Sequence, residues 1–126
     1  MKQVSLKIKN EKGEINKICE TLGRKGINIT TMLGGGLEDN SFIHLITEDV
    51  NSTVKAFELE GYSPKVDDVL TVKIQDKPGE LAKITRKFAR FGVNVNWVYL
   101  ITREKGEVTI GFQVSDLKKA RKVLND

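Results

Sequence analysis

An α+β fold built twice from one unit is predicted by three observations. Apolar residues change period along the chain, from every second position to every third or fourth and back, which marks strands and amphipathic helices in turn. The segments follow the order strand, helix, strand, strand, helix, strand, in which two helices cover one face of an antiparallel sheet. Finally, KNEKGEINKICETLGRKGINITTML (Lys9–Leu33) lines up with QDKPGELAKITRKFARFGVNVNWVY (Gln75–Tyr99) at a constant offset of 66, with Gly13/Gly79, Glu14/Glu80, Lys17/Lys83, Ile18/Ile84, Arg24/Arg90, Gly26/Gly92 and Asn28/Asn94 identical. The chain is an internal duplication.

In the first copy, Lys2–Lys9 alternates Val4, Leu6 and Ile8 with Ser5, Lys7 and Lys9, as a half-buried strand does. Gly13–Lys25 reads as a helix with Ile15, Ile18, Cys19 and Leu22 inward. Ile27–Leu33 is the second strand, and Gly34-Gly35-Gly36 with Glu38-Asp39-Asn40 reads as a loose connection to a third, Ser41–Thr47. A helix over Val50–Glu60, ended by Gly61, and a short strand over Tyr62–Asp67 complete a βαββαβ, or ferredoxin-like, unit.

The second copy starts at once with the strand Val69–Gln75. Asp76 is placed to cap a helix, with Pro78 in its first turn and Leu81, Ile84, Phe88 and Phe91 as its apolar stripe. Gly92 ends that helix, and residues 93–103 form a strand in which Val93, Val95, Trp97 and Tyr99 alternate with Asn94, Asn96 and Val98. Trp97 and Tyr99 are expected to pack on a helix or a partner. A turn at Glu104-Lys105-Gly106, a strand at 107–114 and a helix at 116–124 follow, so the second unit lacks its last strand. The division expected is 1–68 and 69–126, two units that would each bury roughly 60% of their unfolded surface if alone.

Composition narrows the function. With 39% hydrophobic and 30% charged residues the chain is globular. No apolar run approaches the ~20 residues of a bilayer span, and Met1-Lys2-Gln3 leads into a strand without a secretory core, so no membrane partner is expected. The lone Cys19 forms no disulfide framework; it is expected to be packed and inert in a reducing cytoplasm. The formal charge of +4 reads as spread over both halves apart from Lys118, Lys119, Arg121 and Lys122 at a helix end, and no nucleic-acid partner is expected. His44, the single imidazole, supplies too few ligands for a metal.

The chemistry that remains is that of two helix starts. Free backbone N–H groups and partial positive charge there receive a carboxylate, and Gly13 and Gly79 leave the approach open. An amino acid also brings an ammonium, for which Asn10, Asp76, Asn28 and Asn94 are acceptors of the right kind.

DKPGELAKI followed by FGVNVNWVY resembles the loop, helix and Gly-x-Asn-hydrophobic pattern of ACT domains, and NEKGEINKI with KGINITTML is a more divergent copy with Lys12 at the proline position. Nearly the whole chain is thus similar to small stand-alone double-ACT proteins. This resemblance implies an allosteric, amino-acid-binding regulatory protein without catalysis, metal or cofactor. Its ligand would sit between two units, Asn10 facing Asn94 and Asp76 facing Asn28. The implied ligand set is Asn10, Lys12, Gly13, Glu14, Ile15 and Asn28, with Asp76, Pro78, Gly79, Glu80, Leu81 and Asn94. The two sites are unequal, since Asn10 is neutral and Asp76 is an anion. A homodimer is expected, with the signal passed through assembly to a biosynthetic enzyme or transporter.

Three other readings compete. No nucleophile beside a base, metal cluster, P-loop or dinucleotide fingerprint speaks for an enzyme. RNA-binding RRM modules share the element order, but Glu107 and Thr109 stand where base-stacking aromatics are needed. A ligand-independent interaction subunit of an amino-acid biosynthetic enzyme is the third.

Overall fold

The computed structural model describes residues 1–37 and 39–125. The elements are β1 (Lys2–Ile8), α1 (Glu14–Arg24), β2 (Ile29–Leu37), β3 (Asn40–Thr47), α2 (Val50–Leu59) and β4 (Lys65–Asp68), then β5 (Leu70–Gln75), α3 (Glu80–Arg90), β6 (Val95–Glu104), β7 (Glu107–Val114) and α4 (Leu117–Leu124). Contacts divide the chain into Lys2–Asp67 and Asp68–Asp126, with Met1 belonging to the latter. The first unit holds a four-stranded sheet in the order β2-β3-β1-β4, and the second a three-stranded sheet, β5-β7-β6. The α+β, ferredoxin-like reading holds, and among the described residues the second unit has three strands where the first has four. Among the described residues no helix is long and apolar enough to cross a membrane.

Each unit has its own core. Ile18 and Leu22 of α1 and Phe57 of α2 close over Val4, Leu6 and Ile8 of β1 and Ile43 and Leu45 of β3. In the second, Phe88 of α3 meets Phe112 of β7 edge-on at 5.2 Å between ring centroids, with Ala120 and Val123 of α4 alongside. The apolar stripes are narrower than their periodicity predicts. Ile15, Leu81 and Phe91 are exposed, at 42%, 39% and 47%; they fall in the first turn of their helices or beyond the last. Cys19 is half-buried.

Three expectations are corrected. Gly34, Gly35 and Gly36 are not a loose connection; they continue β2 and pair with Ile43, Phe42 and Ser41 of β3. The ladder needs only backbone groups, so strand order is carried by the partner's apolar residues. Glu38 of that expected connection lies outside the described residues, and Asn40 belongs to β3. The fourth strand is displaced to Lys65–Asp68, because Tyr62 is drawn onto Phe57, ring centroids 6.0 Å apart, before the strand begins. Of the two places expected for Trp97 and Tyr99, the helix is ruled out: they lie opposite Gln113 and Gly111, on the sheet face turned away from the helices. There the missing side chain of Gly111 makes room for Tyr99, whose Cε2 is 3.0 Å from where a Cβ would stand.

On the corresponding face of the first sheet, Gln3 donates through Nε2 to His44 Nδ1 at 3.0 Å, and Ser5 Oγ lies 2.7 Å from the same nitrogen. An amide nitrogen can only donate, so Nδ1 accepts and the ring is neutral. Burial holds its pKa below the ordinary histidine value, against an opposing pull from Asp67.

The charge is not spread over both halves. Residues 1–67 carry 9 Lys/Arg and 10 Asp/Glu, whereas residues 68–126 carry 12 and 7. Helices α1 and α2 together bear three cations and three anions; α3 and α4 bear eight cations and one anion. All eight, Lys83, Arg86, Lys87, Arg90, Lys118, Lys119, Arg121 and Lys122, are exposed. The ammonium of Lys119 reaches within 3.7 Å of the Cβ position of Gly92, past the end of α3, so the two helices form one basic layer.

Candidate functional site

The four helices start in two different ways. Asp49 Oδ1 accepts from the Ser52 N–H at 3.1 Å, and Asp116 Oδ1 from the Lys119 N–H at 3.0 Å, ordinary side-chain caps on α2 and α4. Helices α1 and α3 have Gly13 and Gly79 at this position, with φ +88° and +87° and no side-chain cap. The Glu14 and Glu80 N–H groups turn back to the carbonyls of Glu11 and Lys77, at 3.2 and 3.4 Å. The next two, on Ile15 and Asn16 and on Leu81 and Ala82, have no cap acceptor among the described residues. The paired glycines are required by the left-handed backbone, since a Cβ at either would meet nothing within 4 Å.

This corrects the reading of Asp76 as an N-cap. It lies three residues before the Gly79 cap, too far out to reach the helix N–H groups, and its carboxylate pairs with Arg103 at 2.7 Å. Pro78 and Lys12 are exposed turn residues outside the helices. Glu80 is taken up by Lys83 at 3.0 Å and Lys77 at 3.8 Å, and the hydrogen bond from Lys83 holds its carboxyl below the usual range.

In the first unit Asn10, Glu14 and Ile15 come together around a cavity of ≈ 220 Å³. Ile8, Met32 and Ile43 extend its apolar wall, and the backbones of Gly34 and Gly35 form another side. Periodicity pointed to none of Met32, Gly34, Gly35 or Ser41; the run of three glycines was the available signal, and it reads as strand only once its register is known. Asn28 is not part of this cavity. It sits beyond the far end of α1, about 16 Å along an 11-residue helix at 1.5 Å per residue, and donates to Glu48 at 3.4 Å. Asn94 likewise follows α3, where its N–H donates to Ser115 Oγ at 2.9 Å and its amide to Asn96 Oδ1 at 2.9 Å.

Glu14 accepts from the Tyr62 hydroxyl at 2.7 Å, and Lys17 lies over the Tyr62 ring at 5.2 Å from its centre. Burial, and then the bond to Glu14, pushes the Tyr62 phenol up to about 12; burial does the same for Tyr99. Both folded values lie above the unfolded value of about 10. Their contribution to stability is therefore complete below about pH 10 and lost as pH rises towards 12. Urea midpoints measured at pH 9 and 11.5 should show this loss, and Tyr62→Phe should remove part of it. Equal slopes in the two proteins would contradict the Tyr62 assignment.

Comparison places this geometry in a family. A Bacteroides thetaiotaomicron protein of known crystal structure superposes with TM-score 0.90 at 22% identity, covering 98% of this chain and 85% of that one. The regulatory subunits of aspartate kinase from Thermus flavus and, in ligand-free form, Thermus thermophilus give 0.70 and 0.69 at 19% and 15% identity, covering 98% of this chain and 88% and 90% of theirs. At such identities the likeness is one of fold. A search of curated proteins finds no match. The sequence profile of the ACT domain pair, by contrast, matches residues 1–126. With both copies accounted for and the duplicated helix starts in place, the chain belongs to the ACT domain pair family, a regulatory module.

Proposed function

We propose that this protein is a non-catalytic, cytoplasmic amino-acid sensor. The ligand's carboxylate is received by the uncapped N–H groups at the start of α1, where they carry the helix's partial positive charge. Its ammonium is met by Asn10 and Glu14, and the Gly-x-Asn turn of an opposing ACT unit, through Asn94, completes the site. Binding favours one assembly of the chain, a homodimer or larger, which a biosynthetic enzyme or transporter reads; this requires the ligand to discriminate between two arrangements. One observation carries the reading: the two helices of the duplicated loop lack side-chain caps while the other two have them.

A thermal-shift screen of the twenty amino acids tests it. Ligand at 100 times its Kd stabilises the folded state by ~2.7 kcal/mol, which raises the midpoint by several degrees in a protein of this size. A chain that melts cooperatively and responds to none of the twenty is instead a ligand-independent interaction subunit.

A further inference from the structure

Directly paired residues share a sheet face, so strand register makes the two copies comparable position by position. Gly34 lies opposite Ile43, and Leu100 lies opposite Ile110; Ile43 and Ile110 are themselves equivalent, paired with Leu6 and Val72. By the same reasoning Gly36, opposite Ser41, corresponds to Arg103, opposite Val108. On the helix-facing side of β2, then, two glycines stand where β6 carries a leucine and an arginine. The vacated space is the cavity at the α1 start. A Cβ on Gly34 would lie 3.5 Å from Ile43 Cγ1 and 3.8 Å from Ile15 Cδ1, pointing into the gap between them. A Cβ on Gly36 would press on Ser41 Oγ and come 2.8 Å from Asn10 Oδ1. In the second unit Leu100 stands at the Gly34 position, and Arg103 reaches across to Asp76, the counterpart of Asn10.

Glycine in a strand interior weakens the strand and marks places where a ligand or another backbone comes close. From this contrast we infer that the first unit takes an amino acid with an apolar side chain, seated in the gap that Gly34 leaves between Ile15 and Ile43, and that the second unit takes none. The inference rests on the amino-acid reading above and adds ligand class and stoichiometry. Lys9, Asn10, Glu11, Glu14 and Ser41 line the polar part of the cavity, but the side formed by Ile8, Ile15, Met32 and Ile43, next to the Gly34 gap, offers a charged or hydroxyl-bearing side chain no compensation for lost water. A valine, leucine, isoleucine, methionine or phenylalanine side chain gains by entering.

The full chain is titrated calorimetrically with those five L-amino acids and with L-lysine, L-aspartate, L-threonine and L-serine. At least one of the five should bind tenfold or more tightly than every polar one, at one per chain. Gly34→Leu, which restores the second unit's residue, should weaken it at least 30-fold, with Gly34→Ala intermediate; Leu100→Gly should leave the tight site unchanged. Met32 is one of two methionines, so its methyl NMR signal is easily assigned and should move on binding in the unaltered protein. Preference for a polar amino acid, two equal sites, or a Met32 signal indifferent to bound leucine overturns this inference alone, whether or not Gly34→Leu folds. Failure of all nine to bind overturns it, and if the other eleven also fail, the amino-acid reading falls with it.

Discussion

Phe57→Ala is expected to destabilise the first unit by about 3–5 kcal/mol, the range for truncating a fully buried phenylalanine. Phe57 is 0% exposed, packed with Ile18, Leu22 and Leu45 and edge-on to Tyr62. Neighbours held by a sheet and a helix relax only partly into the space left, so a cavity cost adds to the lost transfer energy. Whole domains are stable by roughly 5–15 kcal/mol, so the loss is a large fraction of the total. Phe57→Leu should cost much less. At the matching position the second unit carries Leu124, and its bulk is redistributed: Phe88 and Phe112 stand where the first unit has Leu22 and Leu45. Urea denaturation followed by circular dichroism measures both, and a cost under 1 kcal/mol for Phe57→Ala would contradict the packing described.

Gly13→Asn is expected to weaken amino-acid binding by at least 100-fold while lowering the melting temperature of the free protein only modestly. At φ +88° any side chain is strained, asparagine among the least, and a Cβ there meets nothing within 4 Å, so the strain is confined to the backbone. The asparagine side chain adds bulk beside the start of α1, where the ligand's carboxylate would approach the Ile15 and Asn16 N–H groups. Hydrogen bonds to a charged group contribute about 1.5–3 kcal/mol each, and losing the larger part of two corresponds to about 2.7 kcal/mol, or 100-fold. Valine is a poorer probe at either glycine, since a β-branched residue in that conformation strains the helix start itself. Calorimetry with the tightest ligand from the screen decides, and undiminished affinity in Gly13→Asn rules out the carboxylate site at α1.

The duplication made the fold legible. Gly13 with Gly79, Gly26 with Gly92 and Asp49 with Asp116 all recur in matching conformations, because each marks a helix end whose backbone demands that residue type. The cavity was illegible for the opposite reason. Three consecutive glycines have a turn's composition, and nothing local states that β3 holds them in register. Asp76 misled because an aspartate before a helix usually caps it, whereas here Gly79 has taken that role and Arg103, 27 residues on, claims the carboxylate. Periodicity located Ile15 on the inward stripe but is blind to what stands opposite it, which is a glycine of β2.

The eight cations of α3 and α4 are anchored by Phe88, Ala120 and Val123 and cannot spread apart without unfolding. Lys83 and Arg90 are separated by about 10 Å along the helix axis, a distance over which repulsion persists in dilute buffer and is largely screened at physiological ionic strength. Salt therefore steadies one half of the molecule and is nearly indifferent to the other, whose helices are electrically balanced. Which half gives way first on heating is then a property of the buffer as much as of the chain.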